Sequence, residues 1–270
     1  MAKITDIDRH AYNDKVNIYL SMTKAMLKTE KDLVAEARKV PAEAPLKKLT
    51  LVDEMLNLTS NYIAINGVST AVLRVKNEEA LNDARKSLYK AVIYLEEVVS
   101  NYIDAPFSDY EEKLTAIESY DQNQRYNLVR KIGLAIDLLE QAYGDNSKWR
   151  WTFVDLEGRF SATAKNMLDL RNAMTNSNPE SPYYESTVYH LRLVKKLLSQ
   201  SADRYREKYE LSTGQILDFK TGISFLAALR RIHIVLAEKE EAEEMKKKLS
   251  IWSAKLETDH KKQEEAKKRL

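Results

Sequence analysis

Cysteine is absent from all 270 residues, which excludes disulfides, thiolate metal sites and thiol nucleophiles together. A reducing cytosol and an exported chain that avoids mispaired thiols both suit that absence, so it fixes no compartment. Glycine and proline are scarce, six and five, too few for the turns of an all-β fold. Long apolar runs are missing as well: Ala91 to Leu95 and Phe225 to Leu229 fall far short of a bilayer span. The first residues, Met1-Ala2-Lys3-Ile4-Thr5-Asp6-Ile7-Asp8, lack the apolar core of a signal peptide. The expectation is therefore a cytoplasmic chain, or a periplasmic one in mature form with its signal removed. Charge of one sign is lacking too. A formal net charge of +2 sets up no field to draw nucleic acid or an anionic membrane.

Catalytic signatures are equally missing. None of the glycine-rich phosphate loops, the nucleophile elbow or the H-E-x-x-H zinc motif occurs. The histidines His10, His190, His233 and His260 are scattered. Glu257-x-x-His260 has the spacing of a di-iron bundle, but such sites need a second copy and further glutamates facing a core. No enzyme activity, cofactor, metal or small-molecule substrate is expected.

What is present is helical pattern. Apolar content of 44% with 31% charged residues fits a globular, helix-rich chain. Thr5, followed by Asp6 and Asp8, caps a first helix that runs to about Lys39. It carries two adjacent apolar lines, one through Ile7, Ala11, Ile18, Met22, Ala25, Leu33 and Ala37 and one through Tyr12, Val16, Tyr19, Leu27 and Val34. Two lines predict a helix wedged between neighbours. Pro41 and Pro45 break it. A second helix is predicted from Leu49 to Val75, and a third, capped by Asn77, to Ile103. The fourth starts at the capping box Ser108-Asp109-Tyr110-Glu111 and runs to Tyr143, its middle from Ser119 to Arg125 polar all round. Gly144-Asp145-Asn146 marks its end. A fifth helix from Trp149 carries Phe153 to Met174, and a sixth follows the loop Asn176 to Pro182, with Ser181 as cap.

The seventh begins at Ser212 and changes character without a break. From Glu238 onward, 19 of 33 residues are charged, with a thin apolar line at Met245, Leu249, Trp252 and Leu256. Its four-three-four steps are a coiled-coil rhythm lasting under three heptads. Unbroken, the stretch would be on the order of 80 Å long, longer than a compact domain is wide. The reading is thus an all-α, elongated bundle of about seven helices over residues 1–237. Its arms would break near 105–108 or 176–182, and residues 238–270 form a projecting extension. The seam is expected to dock on another helix, such as the first, leaving its tip for a partner.

Tyrosine is over-represented, fifteen against five phenylalanines. Exposed aromatics favour interfaces, so Trp149, Trp151, Tyr183, Tyr184 and the seam residues Met245, Leu249, Trp252 and Leu256 are the candidate contacts. Lysines of the tail stand four residues after glutamates (Glu243 to Lys247, Glu244 to Lys248, Glu257 to Lys261, Glu264 to Lys268), and such self-pairing makes a solvated helix rather than a polyanion site. The seven helices, the long last one, the tyrosines and the missing cysteine together resemble the flagellar coiling protein of Leptospira spirochaetes. That resemblance implies a non-enzymatic, V-shaped helical protein in the sheath of the periplasmic flagellar filament. It would contact itself and filament or sheath proteins; the balanced, self-paired charge separately speaks against nucleic acid and disfavours a membrane. A cytosolic helical adaptor or membrane-curvature module is the alternative on the same pattern.

Overall fold

The hydroxyl of Thr5 accepts the backbone N–H of Asp8, and the Asp8 carboxylate accepts the N–H of Thr5 in return. With two acids in its first turn and Arg38-Lys39 in its last, α1 (Asp6–Lys39) is capped and charged as a helix dipole favours. The computed structural model describes residues 4–144 and 149–268. Asp145 and Asn146 of the expected turn lie outside the described residues, as do Met1 to Lys3 and Arg269. Among the described residues there are ten α-helices and no strand. The all-α class holds. The helix count rises from seven because three expected helices are each interrupted once.

The first interruption separates α4 (Glu111–Thr115) from α5 (Gln122–Tyr143). The polar middle that invited a kink contains a capping box of its own, Asp121 with Gln124. Arg125, buried behind it, donates to the carbonyls of Tyr120 and Ile117, supplying partners to a turn that has left the helix ladder. The second separates α6 (Arg150–Asn166) from α7 (Leu170–Asn176), where Asp169 accepts from the Arg171 N–H and restarts the helix.

The third interruption overturns the unbroken C-terminal helix. Ala237 takes a left-handed conformation at φ 58° and turns the chain between α9 (Ile216–Val235) and α10 (Lys239–Lys268). The N–H of Glu238 reaches the carbonyl of His233, and that of Ala237 the carbonyl of Ile234, which is a Schellman motif made without glycine. The Glu238 carboxylate then accepts from Lys195 at 2.8 Å and sits 2.6 Å from Nδ1 of His233. Burial alone would raise the pKa of Glu238, but these hydrogen bonds hold it below its ordinary value. So α10 runs back along α9 instead of continuing past it.

The chain divides into two units, residues 1–100 with 113–150, and residues 101–112 with 151–270. In the first, α2 (Ala44–Val68) and α3 (Glu78–Val99) form the central pair, with α1 laid along α2 and α5 against both. The core contains Leu51, Val52, Met55, Leu81, Leu88, Leu95, Val129 and Ile132. In the second, α8 (Tyr184–Lys208) packs on α9 and α9 on α10. Gly158 of α6 and Gly222 of α9 both face Tyr205 of α8. A Cβ at Gly158 would stand 2.6 Å from the Tyr205 ring, and one at Gly222 2.9 Å from the Ala202 carbonyl oxygen. Small residues there let three helices close on one aromatic.

The two central pairs share a device. Both α2 and α8 are 25-residue helices that end in a five-residue π turn, Ser69–Leu73 and Tyr209–Thr213. Each turn closes on a left-handed residue, Arg74 at φ 57° and Gly214 at φ 59°, before the next helix begins.

Candidate interaction site

An exposed apolar line runs along α1. Its inward stripe, Tyr12, Val16, Tyr19, Thr23, Glu30 and Ala37, faces α2 and α3; Val16, Thr23, Glu30 and Ala37 are buried at intervals of seven. Two polar members of that stripe are fully engaged. Asn61 of α2 donates to the Tyr19 carbonyl and to Thr23 Oγ1. Glu30 accepts from Lys90 Nζ at 2.8 Å and from Tyr94 O–H at 3.1 Å; burial and that carboxylate push the Tyr94 hydroxyl up to about 12.

The line through Ile7, Ile18 and Met22 is largely exposed. Ile7 is 81% exposed, Ile18 63% and Met22 43%, and Ala25 is exposed beside them. The helix expected to be wedged is therefore held on one side. The line read from the sequence divides: Ile7, Ile18, Met22 and Ala25 are presented, Ala11 and Leu33 are half-buried, and Ala37 belongs to the packed stripe, because width of apolar stripe does not distinguish a second packed face from a presented one. Ile7 and Ala25 are 18 residues apart, about five turns of 3.6, so the line runs straight along the cylinder, with Asp14 interrupting it.

The tail seam is packed, on α9 rather than on α1. Trp252 is 3% exposed, with its ring 5.6 Å from that of Phe219 and with Lys248 and Arg206 stacked on it at 4.9 and 5.2 Å. Met245, Leu249 and Leu256 are half-buried along the same seam. Asp259 accepts from Tyr209, and Gln263 donates to the Gly214 carbonyl, so the helix is fastened nearly to its end.

The remaining aromatic candidates are half-buried. Trp149 belongs to the first unit and Trp151 to the second. The Arg85 guanidinium lies 4.5 Å over the Trp149 ring, and Tyr143 stands beside it. Tyr183 and Tyr184 close the turn that opens α8, where the Tyr183 N–H donates to Ser181 Oγ. His260 lies 3.6 Å from Glu264. Among the described residues no group of three or more His, Asp and Glu could hold a metal ion, and no helix is long and apolar enough to cross a membrane.

One titratable group gave no signal in the sequence. Lys165, near the end of α6, is 3% exposed, with Nζ 4.7 Å over the ring of buried Tyr110. Burial lowers its pKa to about 8; Asp104 draws it up and Arg231 pushes it further down. Burial likewise pushes the Tyr110 hydroxyl well above its ordinary value. Asn166, next in sequence, donates to the Tyr102 carbonyl, and Arg231 pairs with Asp104. These contacts fasten the 101–112 segment to α6 and α9. The arrangement is a buried cation on an aromatic face.

No curated protein and no solved structure matches this chain, so the flagellar coiling protein is not among the matches. A family model described as TP0443 family matches residues 8–260; the family is a spirochaete one, with a Treponema name and unknown function. The spirochaete part of the sequence resemblance agrees with it. Since the match leaves out only the first seven and last ten residues, the chain belongs to the TP0443 family.

Proposed function

We propose that this protein is a non-enzymatic structural protein that assembles laterally into a lattice or sheath on a filament, joining protein to protein through its helix faces. The filament favoured is the spirochaete periplasmic flagellum, as the sequence resemblance implies and the spirochaete family supports. The observation that carries the reading is the presented line on α1: Ile7, Ile18 and Met22 stand exposed on a 34-residue helix whose opposite stripe is packed. Apolar residues left in water along one side of a rigid element suit an interaction surface, and a helix offered lengthwise suits helix-in-groove or coiled contacts.

The test is size-exclusion chromatography with light scattering across a concentration series, followed by electron microscopy of the concentrated protein with and without isolated periplasmic filaments. Oligomers, ordered arrays or filament decoration are expected, and Ile18→Asp reduces them. A monomer at every concentration that leaves filaments bare would overturn the proposal.

A further inference from the structure

The corner between α9 and α10 is made of residues that a helix would keep. No glycine or proline occurs from Ile223 to Leu270, and Leu236, Ala237 and Glu238, which separate the two helices, are all good helix formers. The chain turns there nonetheless, with Ala237 left-handed at φ 58°, a conformation that its Cβ disfavours. Arg74 is likewise left-handed between α2 and α3, but there Asn77 caps the next helix, a break that the sequence itself specifies. At the Ala237 corner the force against straightening comes from the Glu238 carboxylate, held by Lys195 and His233. The antiparallel pairing of α9 with α10 is centred on this corner: Phe219 meets Trp252, and Gly214 meets Gln263.

We infer that α10 exchanges between two copies of this chain. Residues 236–238 straighten, α9 and α10 become one helix, and each copy's α10 packs on the α8 and α9 of the other. Because the pairing is centred on the corner, two straightened helices laid antiparallel across residue 237 make the same contacts. Trp252 meets Phe219, Asp259 meets Tyr209 and Lys248 meets Asp203, each now between copies. The exchange keeps these contacts and removes the left-handed alanine, and a short strained hinge is the feature that favours such swapping. Ile234, 53% exposed one turn before the corner, stands where the two helices cross, so the dimer has an apolar side chain to cover that the hairpin leaves in water. Glu238 sets the balance, since its bonds to Lys195 and His233 belong to the closed corner. The inference does not rest on the presented line of α1, and either reading can fail alone.

Since the chain has no cysteine, the exchange can be trapped at one chosen pair. Lys248 Nζ lies 3.0 Å from Asp203 Oδ1. Full chains carrying Asp203→Cys and full chains carrying Lys248→Cys are mixed, concentrated and warmed, then treated with a short bis-maleimide and run on a denaturing gel. The double variant Asp203→Cys/Lys248→Cys, linked within one chain when dilute, establishes that the pair is in reach. A covalent dimer is expected from the mixture, at least tenfold above either variant alone and above the mixture kept dilute. Ala237→Gly in both chains lowers it at least fivefold, because glycine takes the turn freely and weakens the straight helix. Glu238→Ala raises it, and Ile18→Asp leaves it unchanged. A linked double variant with no dimer from the mixture overturns the inference, as does a dimer whose yield ignores both hinge variants or is lost with Ile18→Asp. Arrays or decorated filaments without exchange leave the assembly reading standing; exchange without either sinks that reading and keeps this one.

Discussion

At the scale of single residues, the chain is most unusual where a side chain takes a place that chemistry disfavours. Ala237 adopts a left-handed φ of 58°, which costs an L-residue with a Cβ roughly 1–2 kcal/mol. Its neighbour Glu238 offsets that cost through Lys195 and His233. Ala237→Gly relieves the strain and loosens the unfolded chain, so a net gain of about 1 kcal/mol is expected. It would show as a higher urea midpoint with the same m-value, and a lower midpoint would mean the turn is unstrained. Lys165 presents the opposite problem, a cation kept from water. Its folded pKa, about 8, lies below the ordinary lysine value of 10.5. Between those values the unfolded chain binds a proton that the folded chain has released, so stability rises with pH through that window. Lys165→Met removes the slope. It should be the more stable protein at pH 7, by on the order of 2 kcal/mol after the loss of the Tyr110 contact. By pH 9.5 the two proteins should converge. Urea titrations of both at the two pH values decide it, and parallel slopes would show that Lys165 does not titrate in that range.

At the scale of elements, the breaks and caps tell which parts of the fold sequence could carry. Thr5, Asn77 and the boundaries of α1 were legible because a cap is a local hydrogen bond, written in residues three apart. The Asp121–Gln124 box is just as local and was hidden by its setting, since polar residues in mid-helix also describe a solvated turn. The corner at Ala237 was not legible at all. A Schellman turn is ordinarily announced by glycine, and here its stability comes from Lys195, 42 positions earlier in the chain. The seam residues Met245, Leu249, Trp252 and Leu256 were rightly placed on one line, but their partner depended on that unseen corner. Reversal at 237 delivers them to Phe219. This yields a sharp comparison within α10: Trp252→Ala empties a buried site and should cost about 3–5 kcal/mol. Ile251, its 68% exposed neighbour, should cost under 0.5 kcal/mol when replaced by alanine. Amide exchange should quicken over residues 242–259 in the first variant alone. If both variants behave alike, α10 is held by its ends rather than by its seam.

At the scale of the whole molecule, the chain crosses between its two units three times, after residues 100, 112 and 150. The short excursion decides what a cut at 150 would do. A fragment of residues 1–150 contains the whole first unit, with its α1–α2–α3–α5 core intact, and carries 101–112 as a connection between α3 and α5. A fragment of residues 151–270 keeps α6 to α10 but loses the 101–112 segment. Gone with it are Tyr110 from Lys165, the Tyr102 carbonyl from Asn166, Asp104 from Arg231 and Glu111 from Arg171. Removing one partner from a buried polar contact costs more than the contact contributes, and here a buried lysine would also lose its aromatic cover. The first fragment should therefore unfold in one cooperative urea transition with near-UV circular dichroism retained. The second should be helical in the far-UV, weak in the near-UV and broad in its transition, the signs of helices without fixed packing. Joining residues 101–112 to residue 151 through a flexible linker should restore its cooperativity. Fully cooperative unfolding of 151–270 alone would mean that the segment decorates the second unit without completing its core. If it does unfold in one transition, the first fragment serves a further purpose, because it carries α1 with its presented line apart from the second unit.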